Sequence, residues 1–187
     1  MALRLVVGLG NPGPEYERTR HNVGFRLADR LAGEADSSWR DFKGLGLAVK
    51  RGELWVAKPM TYMNDSGRFV RAFADYHHVA PPQMLIVYDE ISLPLGRVRL
   101  RPKGSAGGQR GMESVIQHLG TQEIARLRLG IGPQPERVRA EDFVLARFRP
   151  AEEEALGFAL DLGVQAVETL LESGLDAAMN RVNAEAA

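Results

Sequence analysis

The sequence contains no cysteine among its 187 residues. This absence excludes thiol nucleophiles, disulfide frameworks, iron–sulfur clusters and thiolate zinc sites, and it is typical of proteins from a reducing compartment. Long hydrophobic runs are also missing, since no segment reaches the roughly 18 apolar residues that a membrane-spanning helix needs. The first apolar run, from Leu3 to Leu9, is too short even for the hydrophobic part of a signal peptide. We therefore expect a soluble, cytoplasmic protein.

The sequence has no net charge, but its charges are unevenly distributed. Residues 1–96 contain 12 Lys and Arg against 11 Asp and Glu, residues 97–149 contain 11 against 5, and residues 150–187 contain 1 against 8. The net charges of these segments are therefore +1, +6 and −7. A basic middle segment suits a surface that binds anions such as nucleic-acid phosphates. Ordinary surface charge that happens to cluster explains the asymmetry equally well.

The length and the 44% share of hydrophobic residues predict one domain over residues 1–187. Apolar runs typical of strands lie at Leu3–Leu9, Gly46–Lys50, Leu54–Ala57, Met84–Tyr88, Arg97–Arg101 and Leu127–Ile131. Helical spacing of apolar residues lies between them, and Pro150 begins a long final helix. This alternation predicts an α/β fold: a single three-layer domain with a central twisted, mixed and mostly parallel sheet flanked by helices.

The segment from Gly8 to Gly13 matches the dinucleotide-binding pattern G-x-G-x-x-G and directly follows the first predicted strand. In that motif a helix begins among the glycines, so that its N-terminus meets the pyrophosphate. Pro12 and Pro14 disfavour such a helix start, and no second strand ends in an acidic residue about 20 residues later. A nucleotide-dependent oxidoreductase remains an alternative, but it rests on this motif alone.

Several other enzyme classes lack their signatures. No serine lies in G-x-S-x-G, so the nucleophile elbow of α/β hydrolases is missing. The four histidines do not form H-E-x-x-H, and the glycine loop at 104–108 does not end in G-K-[ST]. We therefore expect neither a metal nor a cofactor.

Four polar residues lie in or beside loops that follow strand-like runs, where α/β sheets place their sites: Asn11, His21, Asn64 and Asp89. Ester hydrolysis by water needs a base, a group that orients the base, and donors that stabilise an oxyanion. His21 can be the base, Asp89 can orient it, and the two carboxamides can donate to substrate carbonyl oxygens. Each residue also has an ordinary structural explanation as a helix cap, a turn residue or a solvated acid.

Three segments, in order along the chain, resemble signatures of the bacterial peptidyl-tRNA hydrolase family. They are V-G-L-G-N-P-G-P-E-Y-E-R-T-R-H-N-V-G-F at 7–25, P-M-T-Y-M-N-D-S-G at 59–67 and V-Y-D-E-I-S-L-P-L-G at 87–96. Further similarity covers G-S-A-G-G-Q-R-G-M at 104–112, R-L-R-L-G-I-G at 126–132 and F-V-L-A-R-F at 143–148. The resemblance spans the chain from Leu3 to about Asn180.

The resemblance implies a monomeric, cytoplasmic enzyme that cleaves the ester between a peptide, or another N-blocked aminoacyl group, and the 3′-terminal ribose of tRNA. This reaction releases free tRNA and peptide and recycles stalled tRNA without a metal. By the same resemblance, the general base is His21, the orienting carboxylate is Asp89, and Asn11 and Asn64 position the substrate. Tyr16 and Met63 are expected to line the cleft. A segment at 142–148 corresponds to a mobile part of the family's cleft mouth.

One position departs from the family pattern, because many relatives have His-Asn where this chain has Gln109-Arg110. Arg110 at a helix N-terminus, with Lys103 nearby, can bind a phosphate or the terminal nucleotide of tRNA, or it can simply be solvated. Arg128 resembles a basic residue that contacts tRNA, but it can also face solvent. The departure keeps a second function open, namely RNA binding without turnover.

Overall fold

A computed structural model describes residues 2–33 and 38–185 of the chain. Within these ranges the strands are β1 Leu5–Gly8, β2 Arg40–Phe42, β3 Gly46–Arg51, β4 Leu54–Pro59, β5 Met84–Pro94, β6 Val98–Arg101 and β7 Ala125–Gly132. The α-helices of the same ranges are α1 Val23–Ala32, α2 Ser66–His77, α3 Arg110–Leu119, α4 Ala140–Val144, α5 Glu153–Ser173 and α6 Leu175–Glu185. Short 3₁₀ turns precede three of them, at Arg20–Asn22, Met63–Asp65 and Pro150–Glu152. That residues 1–187 form one domain stays a prediction.

The strands form one sheet in the order β2-β3-β4-β1-β5-β7-β6. Neighbouring strands are parallel from β4 through β1 and β5 to β7, and antiparallel at the β2–β3, β3–β4 and β6–β7 pairs. Five strands therefore run in one direction, and only β3 and β6 oppose them. The predicted mixed, mostly parallel sheet is confirmed.

Helices cover both faces of the sheet because side chains alternate along its central strands. In β1, Val6 joins an apolar cluster with Leu27 of α1 and Leu160 of α5, whereas Leu5 packs on the opposite side with Phe69 of α2. Strands buried on both faces are apolar almost throughout, which explains the continuous apolar runs in the sequence. The three-layer architecture is confirmed.

The observed element bounds differ from the predicted ones at several places. The strand that was expected to end before Asp89 continues to Pro94, with an irregular register after Glu90. Its fully buried part does end at Asp89, so the apolar pattern marked the buried half of the strand rather than its end. Strand β2 was not predicted, because its three residues, two of them charged, show no apolar alternation.

The glycines of the first loop serve packing between β1 and α1. A Cβ atom at Gly8 would lie 2.1 Å from the carbonyl oxygen of Gly24, so the strand and the helix can approach this closely only without side chains there. Helix α1 begins at Val23, ten residues beyond Gly13. No helix therefore begins within the glycine segment, as the dinucleotide-binding motif requires, in this part of the described chain.

None of the helices in residues 2–33 and 38–185 combines the length and the apolar character needed to cross a membrane.

Candidate active site

The candidate residues meet at one edge of the sheet, where the chain changes direction. Strand β1 pairs with β4 on one side and with β5 on the other, so the strand order reverses at β1. The carboxyl ends of these strands therefore enclose a crevice, which is the usual position of a site in an α/β sheet. Asn11 follows β1, Asn64 lies in the turn after β4, and Asp89 lies on β5.

His21 and Asp89 form a hydrogen-bonded pair in this crevice. His21 lies in the 3₁₀ turn before α1, and its Nδ1 is 2.8 Å from Oδ2 of Asp89. The Asp89 side chain is only 3% exposed and that of His21 is 13% exposed. Because an ionised carboxylate only accepts hydrogen bonds, it favours the tautomer of His21 with the proton on Nδ1. The neutral ring then has a free lone pair on Nε2.

Asn11 is fixed by hydrogen bonds to its side chain and to its backbone. Its Oδ1 accepts a hydrogen bond from the Met63 N–H at 2.6 Å, which leaves the amide NH₂ as the group available to a ligand. The Asn22 side chain accepts from the Asn11 N–H and donates to the Asn11 carbonyl oxygen, each at 2.9 Å. Sequence reasoning missed Asn22, because a polar residue in the short turn before an apolar helix pattern gives no periodic signal of its burial.

A cleft of about 470 Å³ surrounds these groups. It is lined by Asn11, His21, Asn64 and Asp89, by residues 107–110, and by residues of α4 together with Leu145. Asn64 is exposed, and no partner for its carboxamide is found in the described part of the chain. The crevice thus combines a candidate base with carboxamides that can donate to carbonyl oxygens.

A larger cavity of about 980 Å³ also borders Asn11 and is lined partly by Arg18, Phe25 and Lys58. It contains neither His21 nor Asp89. We therefore place the candidate chemistry in the smaller cleft. In residues 2–33 and 38–185, no group of three or more His, Cys, Asp or Glu side chains is arranged to bind a metal.

The two residues expected to line the cleft occupy different positions. Met63 is buried and lines the cleft directly. Tyr16 does not line it, but its ring packs edge-on against that of Tyr62, with the ring centroids 6.4 Å apart. Tyr62 lines the cleft. Tyr16 is therefore one side chain removed from the crevice.

Each of the three candidate basic residues has an acidic neighbour. Arg110 reaches Glu141 at 2.9 Å, Lys103 reaches Glu123 at 3.0 Å, and Arg128 reaches Glu90 at 3.5 Å. Arg110 and its partner Glu141 line the cleft, as does Glu90, the partner of Arg128. The Lys103 and Arg110 pairs are highly exposed, and exposed pairs contribute at most about 1 kcal/mol, so they leave these cations available to a phosphate.

Gln109 lies between helix α3 and the His21–Asp89 pair. Its Oε1 accepts a hydrogen bond from the Met112 N–H at 2.6 Å and so caps α3. Its Nε2 donates to Oδ1 of Asp89 at 3.1 Å. The sequence marked this residue only as a departure from the family pattern.

The segment at 142–148 is attached to the turn that carries His21. The Arg20 guanidinium lies over the rings of Phe143 and Phe148, at 4.6 and 4.8 Å from their centroids, and its Nη2 is 2.8 Å from Oε2 of Glu152. Burial opposes ionisation of Glu152, but hydrogen bonds from the Arg149 N–H and from Arg20 outweigh it, so the pKa of Glu152 lies below its usual value. Whether the segment is mobile stays a prediction.

Comparison with known proteins identifies the family of this chain. The sequence model of the peptidyl-tRNA hydrolase family matches residues 5–187. A peptidyl-tRNA hydrolase of Gloeobacter violaceus is 50% identical over 98% of this chain and 96% of its own length. One of Elusimicrobium minutum is 44% identical over 97% of this chain and 99% of its own. A crystal structure of peptidyl-tRNA hydrolase from Acinetobacter baumannii superposes with a TM-score of 0.87 at 34% identity and covers 97% of this chain and 95% of that one. The chain therefore belongs to the peptidyl-tRNA hydrolase family and is a hydrolase.

Proposed function

We propose that this enzyme cleaves the ester between a peptide, or another N-blocked aminoacyl group, and the 3′-terminal ribose of tRNA, with His21 as the general base. The observation that carries the proposal is the 2.8 Å hydrogen bond from His21 Nδ1 to Asp89 at the wall of the cleft. It leaves Nε2 unprotonated in the neutral ring, so this nitrogen can accept a proton from water.

The proposed reaction needs only water and the substrate. His21 Nε2 removes a proton from water as the water oxygen attacks the ester carbonyl carbon. The negative charge that develops on the carbonyl oxygen is stabilised by N–H donors of the cleft, for which Asn11 and Asn64 are the candidates. When the bond to the ribose oxygen breaks, the His21 imidazolium returns the proton to that oxygen. The products are a free carboxyl group and a free tRNA hydroxyl.

Asp89 supports both halves of this cycle. Its carboxylate keeps the proton on Nδ1 while His21 acts as a base, and it stabilises the imidazolium that forms afterwards. Because Asp89 is almost completely buried, little water competes for its oxygen atoms.

We place the tRNA backbone on the basic strands β6 and β7. Their register sets Arg99 opposite Arg128 and Arg101 opposite Arg126, and like charges directly opposite each other disfavour strand pairing. Arg128 has Glu90 as a partner, and Arg126 is buried and donates to three carbonyl oxygens. For Arg99 and Arg101, no acidic partner is found in the described residues. We propose that they hold tRNA phosphates together with Arg128 and Lys103.

The proposal is tested by measuring release of tRNA from an N-acetyl-aminoacyl-tRNA and from the unblocked aminoacyl-tRNA, with and without EDTA. We expect EDTA-insensitive cleavage of the blocked substrate only, and loss of that cleavage in His21→Asn. His78→Asn is the matched control, because His78 ends α2 with a φ of 52° that asparagine also tolerates. Tight tRNA binding without cleavage by the folded wild type would instead favour RNA binding without turnover.

A cytoplasmic location and a monomeric state are part of the same proposal. They rest on the resemblance and on the nature of a tRNA substrate. Sedimentation equilibrium at micromolar concentration checks the second, and a concentration-dependent mass of twice the chain mass would contradict it.

A further inference from the structure

Gln109 touches both the orienting carboxylate and the cleft wall. It is the N-cap of α3, and it follows two glycines, Gly107 and Gly108, whose φ angles of 60° and 85° turn the loop towards the cleft. From there its Nε2 lies 3.1 Å from Oδ1 of Asp89 and 3.2 Å from the sulfur of Met63. One side chain thus connects the loop before α3 with Asp89 on β5 and with Met63 in the turn before α2.

We propose that Gln109 is a positioning residue that holds the Asp89 carboxylate against His21. The two oxygen atoms of Asp89 have different partners: Oδ2 accepts from the His21 ring, and Oδ1 accepts from Gln109. Rotation of the carboxylate would break both bonds at once. A carboxylate held at both oxygen atoms therefore orients the ring more firmly than one held only by the ring itself.

The helix cap fixes which end of the Gln109 carboxamide faces Asp89. Oε1 is used by the Met112 N–H at 2.6 Å, so the NH₂ group must point the other way, towards the carboxylate. A flipped amide would place an oxygen against Asp89 and an NH₂ group against the Met112 N–H, and both contacts would be repulsive. The start of α3 thus determines the donor that Asp89 receives.

The expected effect of Gln109 on turnover rests on the proposed function, whereas its expected effect on the His21 ring does not. Without Gln109, we expect Asp89 to rotate and the proton on the ring to distribute between Nδ1 and Nε2.

The informative variants keep the cap and remove the donor. Gln109→Ser is a good N-cap but is too short to reach Asp89, and Gln109→Glu keeps the capping oxygen while it places a second acceptor against the carboxylate. Gln117→Ser is the matched control, since Gln117 is exposed on the same helix and no partner for it is found in the described residues. The readouts are kcat and KM across pH, and the ring ¹⁵N shifts of His21 in the neutral form, assigned with His21→Asn.

For Gln109→Ser we expect kcat to fall on the order of tenfold with little change in KM, and a new Nε2–H signal of His21. Gln109→Glu should show a larger fall, and Gln117→Ser should match the wild type. A wild-type tautomer signal in Gln109→Ser overturns the proposal, as does wild-type kcat. If the wild type itself releases no tRNA, the proposed function fails, and the ring signals alone decide the role of Gln109.

Discussion

The Asn22 side chain pairs with the Asn11 backbone through two hydrogen bonds, both 2.9 Å long. Asn22 is 1% exposed and directly follows His21 in the chain. The short turn that presents the candidate base therefore also fixes the loop that presents the Asn11 carboxamide. The position of Asn11 relative to His21 therefore depends on the Asn22 side chain. The Asn11 carboxamide is held separately, because its oxygen accepts a hydrogen bond from the Met63 N–H.

Replacement of Asn22 by alanine should affect both stability and turnover. It leaves the N–H and the carbonyl group of Asn11 without a partner in a buried place, which costs about 1–3 kcal/mol of unfolding free energy. We also expect kcat to fall by about tenfold or more, because a displaced carboxamide of Asn11 misses the oxyanion. Urea denaturation and initial rates measure the two effects. Asn64→Ala is the comparison, since it should lower kcat without a change in stability. If Asn22→Ala proved as stable as Asn64→Ala, the structural role of Asn22 would be contradicted.

Replacement of Asp89 by asparagine should nearly abolish turnover while preserving the fold. A carboxamide can turn its NH₂ group towards Nδ1 of His21, which forces the ring proton onto Nε2, the nitrogen that must accept a proton from water. The corresponding change in a serine-protease triad lowers kcat by about 10⁴-fold, and we expect a loss of at least about 100-fold here. Single-turnover rates at saturating substrate measure it.

Glu90→Gln is the control for Asp89→Asn. Glu90 is the next residue along β5 and also lines the cleft, but its partner is Arg128 rather than His21. We expect its kcat to stay within a few-fold of the wild type. Comparable losses in the two variants would show that a general loss of negative charge, and not the orientation of the ring, determines the rate.

Replacement of Arg101 by alanine should weaken tRNA binding without slowing the bound complex. If Arg101 contacts one phosphate, its loss reduces the slope of log K against log salt by about one unit. Fluorescence anisotropy with labelled tRNA over a range of salt concentrations measures this slope. Arg71→Ala is the control, since Arg71 lies on α2, outside the basic segment, and is paired with Asp75. An unchanged slope in Arg101→Ala would place the tRNA elsewhere.

The sequence was sufficient to predict the layers of the fold and the edge of the sheet that carries the candidate site. Buried strands show as apolar runs, and in an α/β sheet the polar residues that follow such runs converge at one edge. Asn11, Asn64 and Asp89 were found on that basis. Asp89 proved to lie within β5 and not after it, because the strand continues at the surface after its apolar pattern has ended.

Asn22 and Gln109 could not be predicted, for a common physical reason. Each is a polar residue with a partner on a different segment of the chain, and hydrogen bonds between distant segments leave no periodic trace in one sequence. Gln109 attracted attention only because it departs from a resembling family. The contacts of Arg20 with Phe143, Phe148 and Glu152 were missed likewise, since they join residues more than 120 positions apart.

Glu152 should make the attachment of the 142–148 segment dependent on pH. Because hydrogen bonds from Arg20 and Arg149 hold the folded pKa of Glu152 below the ordinary value of 4.5, its stabilising contribution is complete above that value and is lost as the pH falls through the lower, folded value. Glu152→Gln should therefore cost about 1–3 kcal/mol of unfolding free energy near neutral pH, and the difference from the wild type should shrink below 4.5. Urea denaturation at a series of pH values measures it.

Glu153→Gln, which removes a half-exposed partner of Arg26, is the control and should cost little unfolding free energy at any pH. A penalty for Glu152→Gln that persists unchanged into acid would mean that packing of the side chain, and not its charge, holds the segment.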